Sequence, residues 1–227
     1  MSAVRSLNGR VALVTGAGGG LGTGVRQALA DAGATIAQDV PGSNNPNWRW
    51  FDAADEADAR RAVSGVVESY GRIDILACLV GTWTPQSKVA ELSADEVARM
   101  LRANFTSAQV MMAAVLPHMI ENGWGRVLVV GARQALTGTA RNGPYGASKA
   151  ALLNLAEAAA AENQRHGITV NAVIPSTIDT PANRAGIPDA DFSKWVKPVH
   201  IGELMAFLCT EAGGEINGAR IPVWGRA

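Results

Sequence analysis

Two side chains four residues apart, Tyr145 and Lys149 in "NGPYGASK", have the types and spacing for proton exchange with a substrate. A phenol with an ordinary pKa of about 10 exchanges protons poorly at neutral pH, and an ammonium beside it favours the phenolate. One helical turn between the two places them on one face. An exposed helix face would carry the same pair, so its weight comes from what stands upstream. "TGAGGGLGTG" fits no register of the usual G-x-G-x-x-G pattern, but Gly16, Gly20 and Gly22 form G-x-x-x-G-x-G after Thr15. A second register, on Gly18, Gly22 and Gly24, competes with it. Such glycines let backbone turn tightly against a pyrophosphate, and the helix behind them offers unpaired N–H groups and a positive dipole end. A strand-to-helix turn that binds nothing is the plainer alternative.

Asp39 closes the predicted second strand, where a carboxylate reaches adenosine ribose hydroxyls and repels a 2′-phosphate, favouring NAD while leaving NADP possible. A strand-end aspartate with no ligand is the alternative, and Arg49 lies close enough in sequence to blur the preference. Asn104, in "LRANFTSA", stands mid-helix, where an amide gains little from helix propensity; a polar role facing a site competes with that of a surface amide.

These residues need elements to hold them. Short β-branched runs alternate with alanine-rich helical patterns, which predicts a Rossmann-type, doubly wound α/β fold in one domain spanning 1–227. Its mostly parallel sheet has seven predicted strands, at Val11–Val14, Thr35–Asp39, Trp48–Phe51, Ile75–Val80, Arg126–Val130, Thr169–Ile174 and Arg220–Val223. Helices on both faces fit Leu21–Ala32, Asp55–Tyr70, Ala94–Glu121, Gly146–Arg165 and Ile201–Thr210, with Ser93 and Glu96 spaced as a capping box. Gly33, Gly71, Gly123 and Gly167 stand at the expected C-terminal caps. Only Val40 to Asn47 separate strands two and three, so no helix fits that crossover.

The chain has 227 residues and equal numbers of basic and acidic side chains, 20 of each, so no net field favours nucleic acid or an anionic membrane. A small-molecule partner is expected. Cys78 and Cys209, far apart and flanked by apolar residues, read as buried thiols of a cytoplasmic protein. The N-terminus carries no signal-peptide pattern, and "AQVMMAAVLPHMI" is too short to span a membrane. His118, His166 and His200 have no metal-ligand or nucleophile–base spacing, so no metal is expected.

Over nearly its whole length the sequence resembles the short-chain dehydrogenase/reductase family. "TGAGGGLG" is similar to the family's cofactor motif, which implies cofactor contacts from Gly16, Gly18, Gly20, Leu21 and Gly22. Asp52 in "RWFDAAD" resembles its adenine-side aspartate, and Asn104, Tyr145 and Lys149 resemble three of its four catalytic residues. "IPSTIDTP", with Pro175, Ile178 and Thr180, resembles the segment that holds the nicotinamide carboxamide. The resemblance also implies that Tyr145 supplies a proton, that Lys149 holds the nicotinamide ribose, and that the chain forms a homodimer or homotetramer.

The departures are equally specific. The family's Asn-Asn-Ala-Gly reads Cys78-Leu79-Val80-Gly81, with Gly81 alone kept beside the cofactor, and the glycine after Pro175 is Ser176. The fourth catalytic residue, a serine thirteen positions before the tyrosine, is Ala132. Losing such a donor typically costs on the order of a hundredfold in rate. "GARQALTGTARNGPYGASK", "LACLVGTW" and "STIDTPANRAGIPDADFSKW" resemble the dihydropteridine reductase branch, in which alanine takes the serine's place. That branch implies a conjugated, quinonoid dihydropterin-like substrate bordered by Ala132, by Trp83 as a flat wall, and by Trp195 in a mobile lid. Two alternatives stand beside it. One is a reductase or dehydrogenase of small ketones or alcohols that recruits Thr137, Thr139, Asn142 or a water on Asn104 as donor; the other is a nucleotide-binding sensor that has lost its chemistry.

Overall fold

A computed structural model describes residues 7–37 and 51–226. Six parallel strands form one sheet in the order β2-β1-β3-β4-β5-β6. These are β1 Val11–Thr15, β2 Thr35–Ile36, β3 Ile75–Cys78, β4 Gly125–Val130, β5 Ile168–Pro175 and β6 Arg220–Val223. β1, β3, β4 and β5 are buried along their whole length, as strands covered on both faces must be.

Alternation along the strands splits the core in two. Leu13, Leu76, Val127, Val129 and Val170 point to one face, and Ala12, Val14, Ile75, Leu128 and Val173 to the other. The first face is covered by helices α2 (Glu56–Tyr70), α4 (Ser107–Asn122) and α5 (Gly143–Asn163). The second is covered by α1 (Gly20–Asp31) and α7 (Pro198–Leu208). Between them in the chain lie α3 (Ala94–Leu101) and the short α6 (Pro181–Gly186). No helix among the described residues is long and apolar enough to cross a membrane.

The strand order places a topological switch between β1 and β3, because the chain leaves β1 toward β2 on one side and then returns to β3 on the other. In open α/β sheets the crevice beyond such strand ends is where ligands bind. Thr15 closes this point, since its hydroxyl donates to the Ala77 carbonyl at 3.4 Å and accepts from the Leu79 N–H at 3.2 Å.

Several expectations shift. The sheet has six strands among the described residues, not seven. Of the predicted strand Trp48–Phe51 only Phe51 is described, and it lies outside any strand. The predicted second strand stops at Ile36, while Asp39 and the crossover Val40 to Asn47 lie outside the described residues. The predicted long helix Ala94–Glu121 is three segments, with a π-helical turn at Arg102–Thr106 between α3 and α4. The Ser107 hydroxyl bonds back to the Ala103 carbonyl at 2.7 Å, one of the side-chain insertions that loosen a helical ladder. The predicted helix Gly146–Arg165 starts three residues earlier, because Pro144 suits a first turn, where a missing N–H costs nothing. Gly71, Gly123 and Gly167 do take left-handed cap conformations.

Candidate active site

The glycines after β1 divide by what surrounds them. Gly16 has φ +68, and a Cβ there would meet the Leu79 carbonyl carbon and the Val80 nitrogen at 3.0 Å, so this residue lets the turn cross the end of β3. A Cβ on Gly22 would meet the Gly16 carbonyl oxygen at 2.5 Å, and one on Gly20 would meet the Thr180 side chain at 2.7 Å. Gly24 serves a different purpose, since its Cβ would meet the Pro198 carbonyl carbon at 2.7 Å where α1 packs on α7. Gly16, Gly20 and Gly22 are thus the glycines whose missing Cβ atoms let the turn itself close, whereas Gly24 serves helix packing. Gly18 has open space around its missing Cβ. No side chain caps α1, whose N-cap is Gly19, so the first-turn N–H groups, including that of Leu21, have no side-chain partner at the cap, as a helix end able to take an anion requires. These features fit the pyrophosphate of a dinucleotide.

Across the turn stands the segment Pro175 to Thr180. Thr180 caps α6 by accepting from the Asn183 N–H at 3.3 Å, and its methyl group lies against Gly20. The Ile178 carbonyl accepts from the Asn183 amide at 2.8 Å, while Ile178 itself bridges to Val196. Ser176, in the family glycine's place, donates to the Trp224 carbonyl at 2.8 Å.

Asp52 accepts from the two terminal nitrogens of the Arg102 guanidinium, at 3.2 and 2.6 Å, and also from the Ala54 N–H at 2.9 Å. Those bonds hold its carboxyl below the usual range, and the half-exposed pair tethers the start of the π-helical turn.

That turn carries Asn104, which is fully buried. Its amide pairs with the Thr82 backbone, Oδ1 accepting from the Thr82 N–H and Nδ2 donating to the Thr82 carbonyl, both at 2.9 Å, and Nδ2 also reaches the Met100 sulfur at 3.9 Å. A Cβ on Gly81 would meet Asn104 Oδ1 at 2.8 Å and Lys149 Nζ at 3.1 Å, so these three converge beside the end of β3. Lys149 is buried and donates to the Val130 carbonyl at 2.8 Å. Burial lowers its pKa to about 8, against a smaller raising effect from Cys78. The Cys78 thiol is pushed up to about 12 by the same burial.

Tyr145 behaves opposite to the expectation that Lys149 favours its phenolate. Burial raises the phenol to about 12, and the Lys149 ammonium is committed to a backbone carbonyl. The phenol therefore stays protonated at neutral pH.

The loop after β3 is tied to α5 at two places that sequence reasoning did not identify. The Trp83 indole donates to Asn142 Oδ1 at 2.7 Å, and Gln86 Oε1 accepts from the Tyr145 N–H at 3.1 Å. Glu96 belongs to the same network: Ser93 accepts from its N–H as predicted, but its carboxylate accepts from the Ser87 N–H at 2.8 Å instead of closing the capping box. Trp83 keeps a half-exposed ring beside the start of α5. Ala132, which by sequence takes the place of the family's serine, is buried and extended just after β4. Asn142 is committed to Trp83 and the Ala140 carbonyl, while Thr137 and Thr139 are exposed. Trp195, expected in a lid, packs closely in this structure. It is buried, with its ring 4.8 Å from that of Phe192, which Arg184 covers while also chelating Asp179.

The comparisons agree with this geometry. Residues 10–190 match the family model for short chain dehydrogenases. The chain is 28% identical to nodulation protein G of Azospirillum brasilense, covering 95% of this chain and 97% of that one. It is 29% identical to a cis-4-hydroxycyclohexanecarboxylate dehydrogenase of Sinomonas cyclohexanicum, covering 95% of both. Its fold superposes with a TM-score of 0.85 on a gluconate 5-dehydrogenase from Burkholderia cenocepacia J2315 solved with NADP and tartrate, 28% identical, covering 97% of this chain and 96% of that one. A glycine turn at a sheet's switch point, a buried lysine one helical turn from a protonated tyrosine, and a match over most of the chain carry one conclusion: this protein belongs to the short-chain dehydrogenase/reductase family of oxidoreductases.

Proposed function

We propose that the protein is an NAD(P)H-dependent reductase of small conjugated electrophiles, preferring NADH, with quinonoid dihydropterins as the leading substrate class. The observation that carries this reading is the buried methyl group of Ala132 where a second donor would stand, with the Asn142 amide already committed elsewhere. A simple ketone needs such a donor to stabilise developing negative charge, whereas a conjugated quinonoid ring already delocalises it. The half-exposed Trp83 offers a flat face on which such a ring stacks.

A nicotinamide nucleotide, when bound, supplies the hydride. The Gly16 to Gly22 turn and the first turn of α1 would hold its pyrophosphate, Asp39 and Asp52 its adenosine side, and Gly81, Pro175, Ile178 and Thr180 its nicotinamide end. Lys149 would give its ammonium to the ribose. Tyr145, kept protonated by burial, donates its proton to the substrate atom on which negative charge develops. A protonated phenol at neutral pH supports the reductive direction. Pairing of copies into a dimer or tetramer belongs to the same proposal.

A second reading, oxidation or reduction of small alcohols and ketones, draws on the names of relatives that act on a hydroxycyclohexanecarboxylate and on gluconate. Steady-state assays with NADH on quinonoid dihydropterin and on a panel of cyclic and linear ketones separate the two. The proposal expects kcat/KM for the pterin to exceed that for every ketone by about tenfold or more, and the reverse ranking ends it. Titrating NADH and NADPH against wild type and Asp39→Ala tests the cofactor preference; an unchanged ratio removes Asp39 as selector.

A further inference from the structure

The start of α5 presents an accounting problem. A helix leaves its first N–H groups without intrahelical partners, and the N-cap side chain usually takes the one at the third position. Here the N-cap is Asn142, which makes no capping bond because its Oδ1 is committed to the Trp83 indole. Pro144 has no N–H, and the Gly146 N–H already donates to the Asn142 carbonyl at 2.8 Å. The third position is Tyr145, and its N–H is taken by Gln86 from a loop 59 residues away in sequence. Gln86 is 4% exposed, and its Nε2 donates to the Thr84 carbonyl at 3.3 Å. On the other side the helix start has no slack, because a Cβ on Gly146 would meet the Gln134 carbonyl oxygen at 2.6 Å.

We infer that Gln86 is a positioning residue for proton transfer: a cap borrowed from the loop after β3 that fixes the Tyr145 backbone, and through it the phenol, relative to Lys149 and the substrate. Asn104 sets the same loop through Thr82, and Trp83 ties it to Asn142. The wall offered to the substrate and the proton donor thus move as one body. Tyr145 as proton donor is the reading given under the proposed function, on which this inference rests.

The test needs no known substrate. The chain has two tyrosines, Tyr70 and Tyr145, so 15N-tyrosine labelling gives two amide signals, which Tyr70→Phe assigns. Gln86→Leu is expected to speed hydrogen exchange of the Tyr145 amide about tenfold or more, whereas Gln86→Glu, which keeps an acceptor, leaves it within about threefold. Turnover is then read with NADH and quinonoid dihydropterin, or with the ketone that wild type reduces fastest. Gln86→Leu is expected to lower kcat about tenfold or more at unchanged NADH affinity, and Gln86→Glu to restore most of it. Unaltered exchange in Gln86→Leu, or a Gln86→Glu variant that falls as far as Gln86→Leu, overturns the inference. Should Gln86→Leu fail to fold, retained protection and kcat in Gln86→Glu support the assignment and their loss overturns it. A wild type that reduces neither substrate class defeats the functional reading and leaves the exchange measurement to decide the role of Gln86.

Discussion

The two ends of the parallel sheet handle buried charge in opposite ways. At the N-terminal end Asp74 is fully buried and saturated: it accepts from Arg10 at 3.0 Å, from the Val11 N–H at 2.9 Å and from both sides of the Arg72 guanidinium. Nearby, the guanidinium carbons of Arg10 and Arg126 lie 3.6 and 4.3 Å from the centre of the Trp124 ring. At the C-terminal end Lys149 is just as enclosed, yet it has one backbone carbonyl as partner and a pKa lowered to about 8. A saturated charge holds a fold together. An under-partnered one stores binding capacity for a ligand, at some cost in stability.

Substituting one residue at each end breaks this contrast if it is wrong. Lys149→Met should lower kcat on the order of a thousandfold, without lowering the melting temperature at pH 7. The sign follows from proton binding. The folded pKa of about 8 lies below the model value of 10.5, so the unfolded chain holds more protons between those values. Stability therefore rises with pH across that window, and below it the buried charge is a burden that methionine removes. Asp74→Ala should do the reverse, costing about 3 kcal/mol of stability by urea titration while kcat per folded molecule stays near wild type. A stable Asp74→Ala or a strongly destabilised Lys149→Met would erase the distinction.

A smaller effect sharpens the comparison within the C-terminal end. Ala132→Ser restores a hydroxyl at the position of the family's serine and should raise simple ketone reduction by about tenfold or more, with little change toward a quinonoid substrate. No gain would mean that another group already serves as donor. The mildest expectation is the pH profile. As pH rises through about 8, Lys149 loses its charge, so kcat/KM should fall with an alkaline limb there, well before the phenol at about 12 is affected. A limb first seen above pH 10 would remove Lys149 as the titrating group.

The glycine turn, the strand–helix alternation and the Tyr145–Lys149 pair were legible because each is a local pattern with one dominant physical cause. Gly24 was not separable from its neighbours by sequence, since its reason is the close approach of Pro198 at the start of α7, far along the chain. Gln86 was missed, and Asn142 was read as a spare donor, for the same reason: both are ordinary loop amides whose partners are set by tertiary contact. The tyrosine's acidity was misjudged because spacing revealed its charged neighbour but not the burial that outweighs it. The burial of Trp195 was likewise not legible, because its packing partner Phe192 is visible only in the fold.

The π-helical turn at Arg102–Thr106 has a consequence for sequence length. It holds about one residue more than an α-helical turn would. Removing that residue would give a straighter helix with a better hydrogen-bond ladder, but it would swing one half against the other by about 100°. Asn104 could then no longer face Thr82 while Met111 and Val115 keep their places against the sheet. Single-residue gaps in this stretch are therefore far more disruptive than substitutions, and among related chains the spacing from Asn104 to the helix core should stay fixed where the side chains themselves vary.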